Sequence, residues 1–345
     1  MLVERVEGKW IDAFAETFRL CGVTGGETAA VLSESQSRPV IVELADLALQ
    51  RLGARVFGVS VPTPPQRAPV PVRSTGASDA IGGLEPVVAA LAAASFVADC
   101  TVEGLLHAPE LGSILAGGAR ILMVSNEHPE ILERLVPDPA LKPRVDEGAA
   151  LLAGASEMRV TSAAGTDLTV DVSRAPAAAS WGCTNGPGTI AHLPGGLCLC
   201  FPPAGTVNGT LVLDTGDVNL TFKRYLESPV SMRIADDYVT DISGDGLDAE
   251  LMSSYMEAWD DPEAYAVSHV GWGMNAAARW DALTMYDRTQ LNGTELRAFA
   301  GNFLYSTGAN ETAGRHTLGH FDLPMRNCTI TLDGTPVVDR GRLAF

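Results

Sequence analysis

At 345 residues the chain exceeds the size at which a single hydrophobic core usually stops growing, so two domains are expected. Hydrophobic residues make up 46% and charged residues 19%, a composition that excludes disordered and fibrous classes. Lys and Arg total 24 against 42 Asp and Glu, and the resulting net charge of −18 repels nucleic acid and anionic membrane surfaces.

The opening MLVERVEGKW carries acidic residues and no apolar run, so no secretory signal is expected. A 3.6-residue period from Trp10 to Leu20 predicts a helix, followed by a strand in ETAAVLSES, a helix in PVIVELADLALQRLG and a strand in ARVFGVSV closed by Pro62. The run VPTPPQRAPVPV at 61–72 reads as an extended loop. A helix at 84–95, the strand SFVADC, the helix PELGSILAGG and the strand RILMVS continue the alternation, which predicts a parallel sheet covered by helices. His107 falls just beyond the carboxyl end of SFVADC, where such sheets place ligand-facing residues. The longest apolar stretch, LEPVVAALAAASFVADC, is broken by charge before it could span a bilayer.

A helix is expected at 144–156, and the texture changes after it. MRVTSAAGTDLTVDVS reads as two strands around Gly165, and a helix from Leu247 to Trp259 interrupts a stretch of Gly, turns and short strands. The expected architecture is therefore an α/β domain over 1–155 that contributes to an active-site cleft, followed by an α+β metal-binding domain over 156–345. The six cysteines form no CxxC pair and sit mostly in apolar runs, which predicts reduced, buried thiols and a soluble, cytoplasmic protein. Cys198 and Cys200 share one face of a probable strand, but no second Cys or His pair accompanies them as a metal site would require.

The segment Leu318-Gly319-His320-Phe321-Asp322-Leu323 alternates, and in a strand the side chains of His320 and Asp322 share a face. His316 with His320 has the spacing of a helical metal pair, but its Gly content is wrong for a helix and the Glu of HExxH is missing. With His269 as a third ligand, His320 and Asp322 make the two-histidine, one-carboxylate set of non-haem iron oxygenases. Spacing alone favours a hydrogen-bonded core pair over a metal site. Gly244-Asp245-Gly246 opens a helix as a dinucleotide loop would, but Asp241, Asp245 and Asp248 crowd the place of the pyrophosphate, so a plain strand-to-helix turn is expected. No serine-hydrolase elbow or phosphate loop occurs. By motif alone, His107 and His192 are unassigned.

Four blocks carry a family likeness: GLLHAPELGSIL at 104–115, GTIAHLPGGLCLCFPPAGTVNGTLVLD at 188–214, SHVGWGMNAAARW at 268–280 and GHFDLPMRNCTI at 319–330. Together they resemble the 2,5-dihydroxypyridine 5,6-dioxygenases of nicotinate catabolism, along nearly the whole chain. That group is related to metalloaminopeptidases of the aminopeptidase T type, whose dinuclear site is built from glutamates. Where those peptidases carry acidic residues, this chain has Leu197 after Pro194-Gly195-Gly196, and His269 before Gly271-Trp272-Gly273-Met274-Asn275. Fewer negative ligands favour one divalent ion over two.

The resemblance implies that His269, His320 and Asp322 bind Fe(II). It further implies that dioxygen and a dihydroxypyridine take the open positions, and that the C5–C6 ring bond is cleaved to N-formylmaleamate. It implies that His107 moves a proton from a ring hydroxyl, with an ordinary histidine pKa of about 6.5. Thr189 and His192 become candidates for holding the ring's polar edge, and Ser306 a candidate near the metal. A homo-oligomer is expected for an enzyme of this size. A metal-dependent aminopeptidase-type hydrolase and a metal-free binding protein are the alternatives, and metal content separates them from an iron oxygenase.

Overall fold

The structure, a computed structural model, describes residues 5–69, 77–124 and 126–345. Residues 70–72 of the proline-rich run and Ser125 lie outside them, and 62–67 form the irregular segment that their prolines predict. The first part alternates as the periodicity demands: α1 (Gly8–Leu20), β1 (Thr28–Glu34), α2 (Pro39–Arg51), β2 (Arg55–Val61), α3 (Glu85–Ala92), β3 (Phe96–Asp99), α4 (Leu111–Ala116) and β4 (Arg120–Val124). The face of α1 that carries Trp10, Phe14 and Phe18 is buried against the sheet, and Pro39 starts α2 where its missing N–H costs nothing. Helices α5 (Pro129–Arg134) and α6 (Leu141–Ala153) follow.

β5 (Glu157–Thr161) and β6 (Asp167–Asp171) form the hairpin read around Gly165. Next come β7 (Ala177–Ser180), β8 (Ile190–Leu193), β9 (Leu197–Cys200), β10 (Val207–Leu213), β11 (Val218–Asn219), β12 (Arg224–Tyr225), β13 (Val230–Ala235) and β14 (Tyr238–Ser243). The helix α7 (Leu247–Ala258), β15 (Val267–Gly273), α8 (Thr294–Ala298), β16 (Phe303–Thr307), β17 (Phe321–Met325), β18 (Thr329–Leu332), β19 (Thr335–Asp339) and β20 (Arg342–Leu343) complete the chain.

The parallel sheet has the order β2-β1-β3-β4-β8. Its fifth strand, β8, returns from the β-rich half and brings His192 with it. The strand order reverses between β1 and β3, which places the loops after these strands at the switch point where such sheets bind ligands. Two antiparallel sheets stand against it. One runs β14-β13-β10-β6-β5-β18-β19-β20, and the other β17-β16-β15-β9-β7. The principal core cluster draws on all three sheets, from Phe14 and Phe96 to Trp272 and Phe321. Among the described residues no helix is long and apolar enough to cross a membrane.

All six cysteines are unpaired and buried, as their apolar settings predict. Cys198 and Cys200 face the core while their neighbours Leu197 and Leu199 face a cavity, so neither thiol is placed to hold a metal there. The turn before α7 also follows the sequence reading: Asp248 is buried, accepts the N–H groups of Glu227 and Ser228, and pairs with Arg224.

Candidate functional site

β15, β16 and β17 lie side by side, and their register places Ser306 opposite Asp322. Between Val267 and Val270 the pairing of β15 with β16 slips, so that Ser268 and His269 stand against Ser306 alone. Such a bulge re-aims the side chain it carries. The side chains of His269, His320 and Asp322 converge: the Nε2 atoms of His320 and His269 lie 3.3 and 3.8 Å from Asp322 Oδ1. His320 sits just ahead of β17 and Asp322 within it, on the same side, as the alternation predicts.

His107 reaches this cluster from the parallel sheet. Its ring centroid lies 4.7 Å from that of His320, and it stacks on His269 at 6.1 Å with 5° between planes. The loop that carries it is built by two buried carboxylates at the switch point. Asp99 accepts from the Thr101 and Leu105 N–H groups at 3.0 and 2.8 Å, and Glu34 accepts from Val102 N–H at 2.7 Å. Gly104 turns this loop with φ +80°, and a Cβ there would strike the end of Met123.

These groups line one cavity of about 150 Å³, space of the order that holds a single benzene-sized ring. Leu197, Leu199, Phe201, Ile190 and Met123 supply apolar wall, and His192, Asn292 and Arg297 add polar groups. His192 Nδ1 lies 2.9 Å from the Pro194 carbonyl, which can only accept; Nδ1 therefore carries the proton and Nε2 is an acceptor. Burial holds this imidazole below the ordinary histidine range. Thr189 is not in the cavity wall: its hydroxyl donates to Gly186 O at 2.6 Å in the preceding turn. Ser306 is wholly buried and donates to Asp322 Oδ1, so it reaches the cavity only through that carboxylate. His316 is exposed and outside the cluster.

The electrostatics suit a cation. Burial and the neighbouring His320 and His269 push His107 well below the usual histidine value, and burial takes His269 to about 3. Burial opposes ionisation of Asp322, yet the Arg297 guanidinium and His320 hold its carboxyl well below the usual range. His107 Nε2, His269 Nδ1 and His320 Nδ1 are buried without hydrogen-bond partners, and His107, His269 and His320 can present ring nitrogens within 4.8 Å of one another. Three imidazoles with unpartnered ring nitrogens beside a carboxylate form a donor set that fits a divalent transition metal. His320 Nε2 lies 3.3 Å from Asp322 Oδ1, close enough for the imidazole and the carboxylate to face one ion.

Asn292 and Arg297 carry no motif signal in LNGTELRAF, and sequence reasoning passed over both. Glu34 and Asp99 are equally silent, because a buried carboxylate that binds backbone looks like any other acid at a strand end.

The family model described as 2,5-dihydroxypyridine 5,6-dioxygenase matches residues 9–345. A curated Pseudomonas putida KT2440 protein, 2,5-dihydroxypyridine 5,6-dioxygenase, is 38% identical over 332 residues, 95% of this chain and 94% of that one. The solved 2,5-dihydroxypyridine dioxygenase of Pseudomonas putida KT2440 superposes with a TM-score of 0.93 at 36% identity, covering 99% of this chain and 98% of that one. AmpT of Thermus thermophilus shares the fold, with a TM-score of 0.58 at 13% identity over 98% of this chain and 99% of that one. The chain belongs to the 2,5-dihydroxypyridine 5,6-dioxygenase family.

Proposed function

We propose that this protein opens the ring of 2,5-dihydroxypyridine between C5 and C6, consuming one dioxygen and placing both its oxygen atoms in N-formylmaleamate. The observation that carries this reading is the convergence of His269, His320 and Asp322 on one ring-sized cavity, with His107 stacked beside them. Fe(II) would be held by His269, His320 and Asp322 and, when bound, would supply the redox chemistry that joins ring and dioxygen.

The chain's own groups do the rest. His107 Nε2 is buried, unpartnered and kept neutral, so it accepts the proton of a ring hydroxyl. His192 offers its Nε2 lone pair to an N–H or O–H on the ring's edge. The apolar wall excludes water from the reacting face. Six free thiols support a reducing, cytoplasmic setting, and chain length supports a homo-oligomer.

A second reading of the ligand set rests on the three-histidine cluster, in which His107 would itself bind the metal. Oxygen uptake on a panel of hydroxypyridines tests the function. Metal-free protein reloaded with Fe(II) under reducing conditions is expected to consume one dioxygen per 2,5-dihydroxypyridine, and with Zn(II) almost none, since zinc has no redox chemistry to offer. Equal turnover with zinc would sink the oxygenase reading.

A further inference from the structure

Asn292 makes four hydrogen bonds that meet at the cavity wall. Its N–H donates to Glu127 Oε2 at 2.9 Å and its carbonyl accepts from Lys223 Nζ at 2.6 Å. Its side chain donates through Nδ2 to Val102 O at 3.3 Å and accepts through Oδ1 from Arg297 Nη1 at 3.0 Å. Arg297 in turn donates from Nε to Asp322 Oδ2 at 2.5 Å. Glu127, fully buried after β4, also takes the N–H groups of Gly293 and Thr294, each at 2.7 Å.

A buried carboxylate that spends both oxygens on three backbone N–H groups of one loop fixes that loop's position. Here the loop comes from the β-rich half and the carboxylate from the parallel-sheet half. Its cargo is the Asn292 amide, which joins the loop of His107 on one side to the partner of Asp322 on the other. Asp322 Oδ2 is thereby occupied by Arg297, while Oδ1 faces both histidines.

We propose that Glu127, Asn292 and Arg297 form a positioning relay that orients the Asp322 carboxylate toward His269 and His320 and ties it to the loop bearing His107. Glu127, Asn292 and Arg297 are positioning residues acting through Asp322. The inference rests on the proposed metal role of Asp322. Partners that orient a ligand are commonly worth ten- to a hundredfold in metal affinity when removed.

The test is Fe(II) affinity, measured anaerobically by competition with a chelator, together with melting temperature, for wild type, Asn292→Ala, Asn292→Asp and Arg297→Lys. Asn292→Ala loses both side-chain bonds and is expected to bind iron about tenfold or more weakly. Asn292→Asp keeps the acceptor for Arg297 but loses the donor to Val102 O, and is expected to recover part of that loss. Arg297→Lys keeps the charge but loses the planar fork whose Nε and Nη1 reach Asp322 and Asn292 separately, and is expected to resemble Asn292→Ala; it also stands in should that variant not fold. Variants that melt lower yet bind iron as wild type does would reduce the network to a structural clamp and overturn the relay. Wild-type protein that binds no iron would contradict the proposed function itself, and the relay with it. Iron-binding wild type with unaltered variants would contradict the relay alone.

Discussion

Burial and the two facing imidazoles keep the His107 ring neutral well below the ordinary histidine value, and a cation beside it would act in the same direction. The acid limb that an ordinary pKa would place near 6.5 is therefore displaced downward. Wild-type kcat/KM is expected to stay level as pH falls through about 6.5 and to decline only at lower pH. A limb centred at 6.5 and absent from His107→Ala would show that the ring is better solvated than its burial indicates. His107→Ala itself should lose roughly a hundredfold or more in turnover. Thr189→Ala should stay within about threefold of wild type, because its hydroxyl closes a local turn and touches no substrate space. A large loss in Thr189→Ala turnover would place that hydroxyl at the ring after all. The alternation of His320 and Asp322 was legible because strand geometry has a period of two residues. The place of His107 was legible too, because it follows the carboxyl end of a parallel strand; the outward commitment of Thr189 was not, since it depends on a loop hydrogen bond that leaves no periodic trace.

At the scale of elements, two irregularities place the proposed ligands and the proposed base. The bulge in β15 turns His269 toward Asp322, and the Asp99 carboxylate shapes the loop after β3 that delivers His107. Asp99→Asn replaces one acceptor oxygen with a donor facing backbone N–H groups, and is expected to cost about 1–3 kcal/mol in stability. Its turnover should fall while its iron content holds, because none of His269, His320 and Asp322 sits on that loop. Calorimetry with metal analysis checks this, and a fully active variant would mean the loop holds its shape without the carboxylate. Most regular elements could be read from the sequence, since helix and strand periods are carried by their own side chains. A bulge is set by two strands together. The seven-residue β15 reads as a plain strand until β16 is laid beside it, and the five-residue α8, which carries Arg297, is too short to show a period.

Across the whole molecule, the cavity lies where the switch point of the parallel sheet meets the sheet that carries the proposed metal ligands. The alternating first part predicted a parallel sheet with ligand-facing residues beyond its strand ends, but nothing in IAHL announces that β8 rejoins that sheet. Assembly around buried neutral histidines has a consequence for acid stability. The folded-state values of His107 and His269 lie below the unfolded value of about 6.5, so the unfolded chain binds more protons below that pH. Their contribution is fully present above about 6.5 and is lost as pH falls toward the folded values. Metal-free protein should therefore melt progressively lower below pH 6.5, and His269→Gln should flatten that slope. An unchanged slope would assign acid sensitivity to other groups. The central claim is that Asp322, and not His107, completes the metal site with His269 and His320. It is tested most directly by iron per chain in reduced Asp322→Ala and His107→Ala protein, measured side by side. The account expects the first to lose its iron and the second to keep it; iron retained by Asp322→Ala and lost from His107→Ala would contradict it.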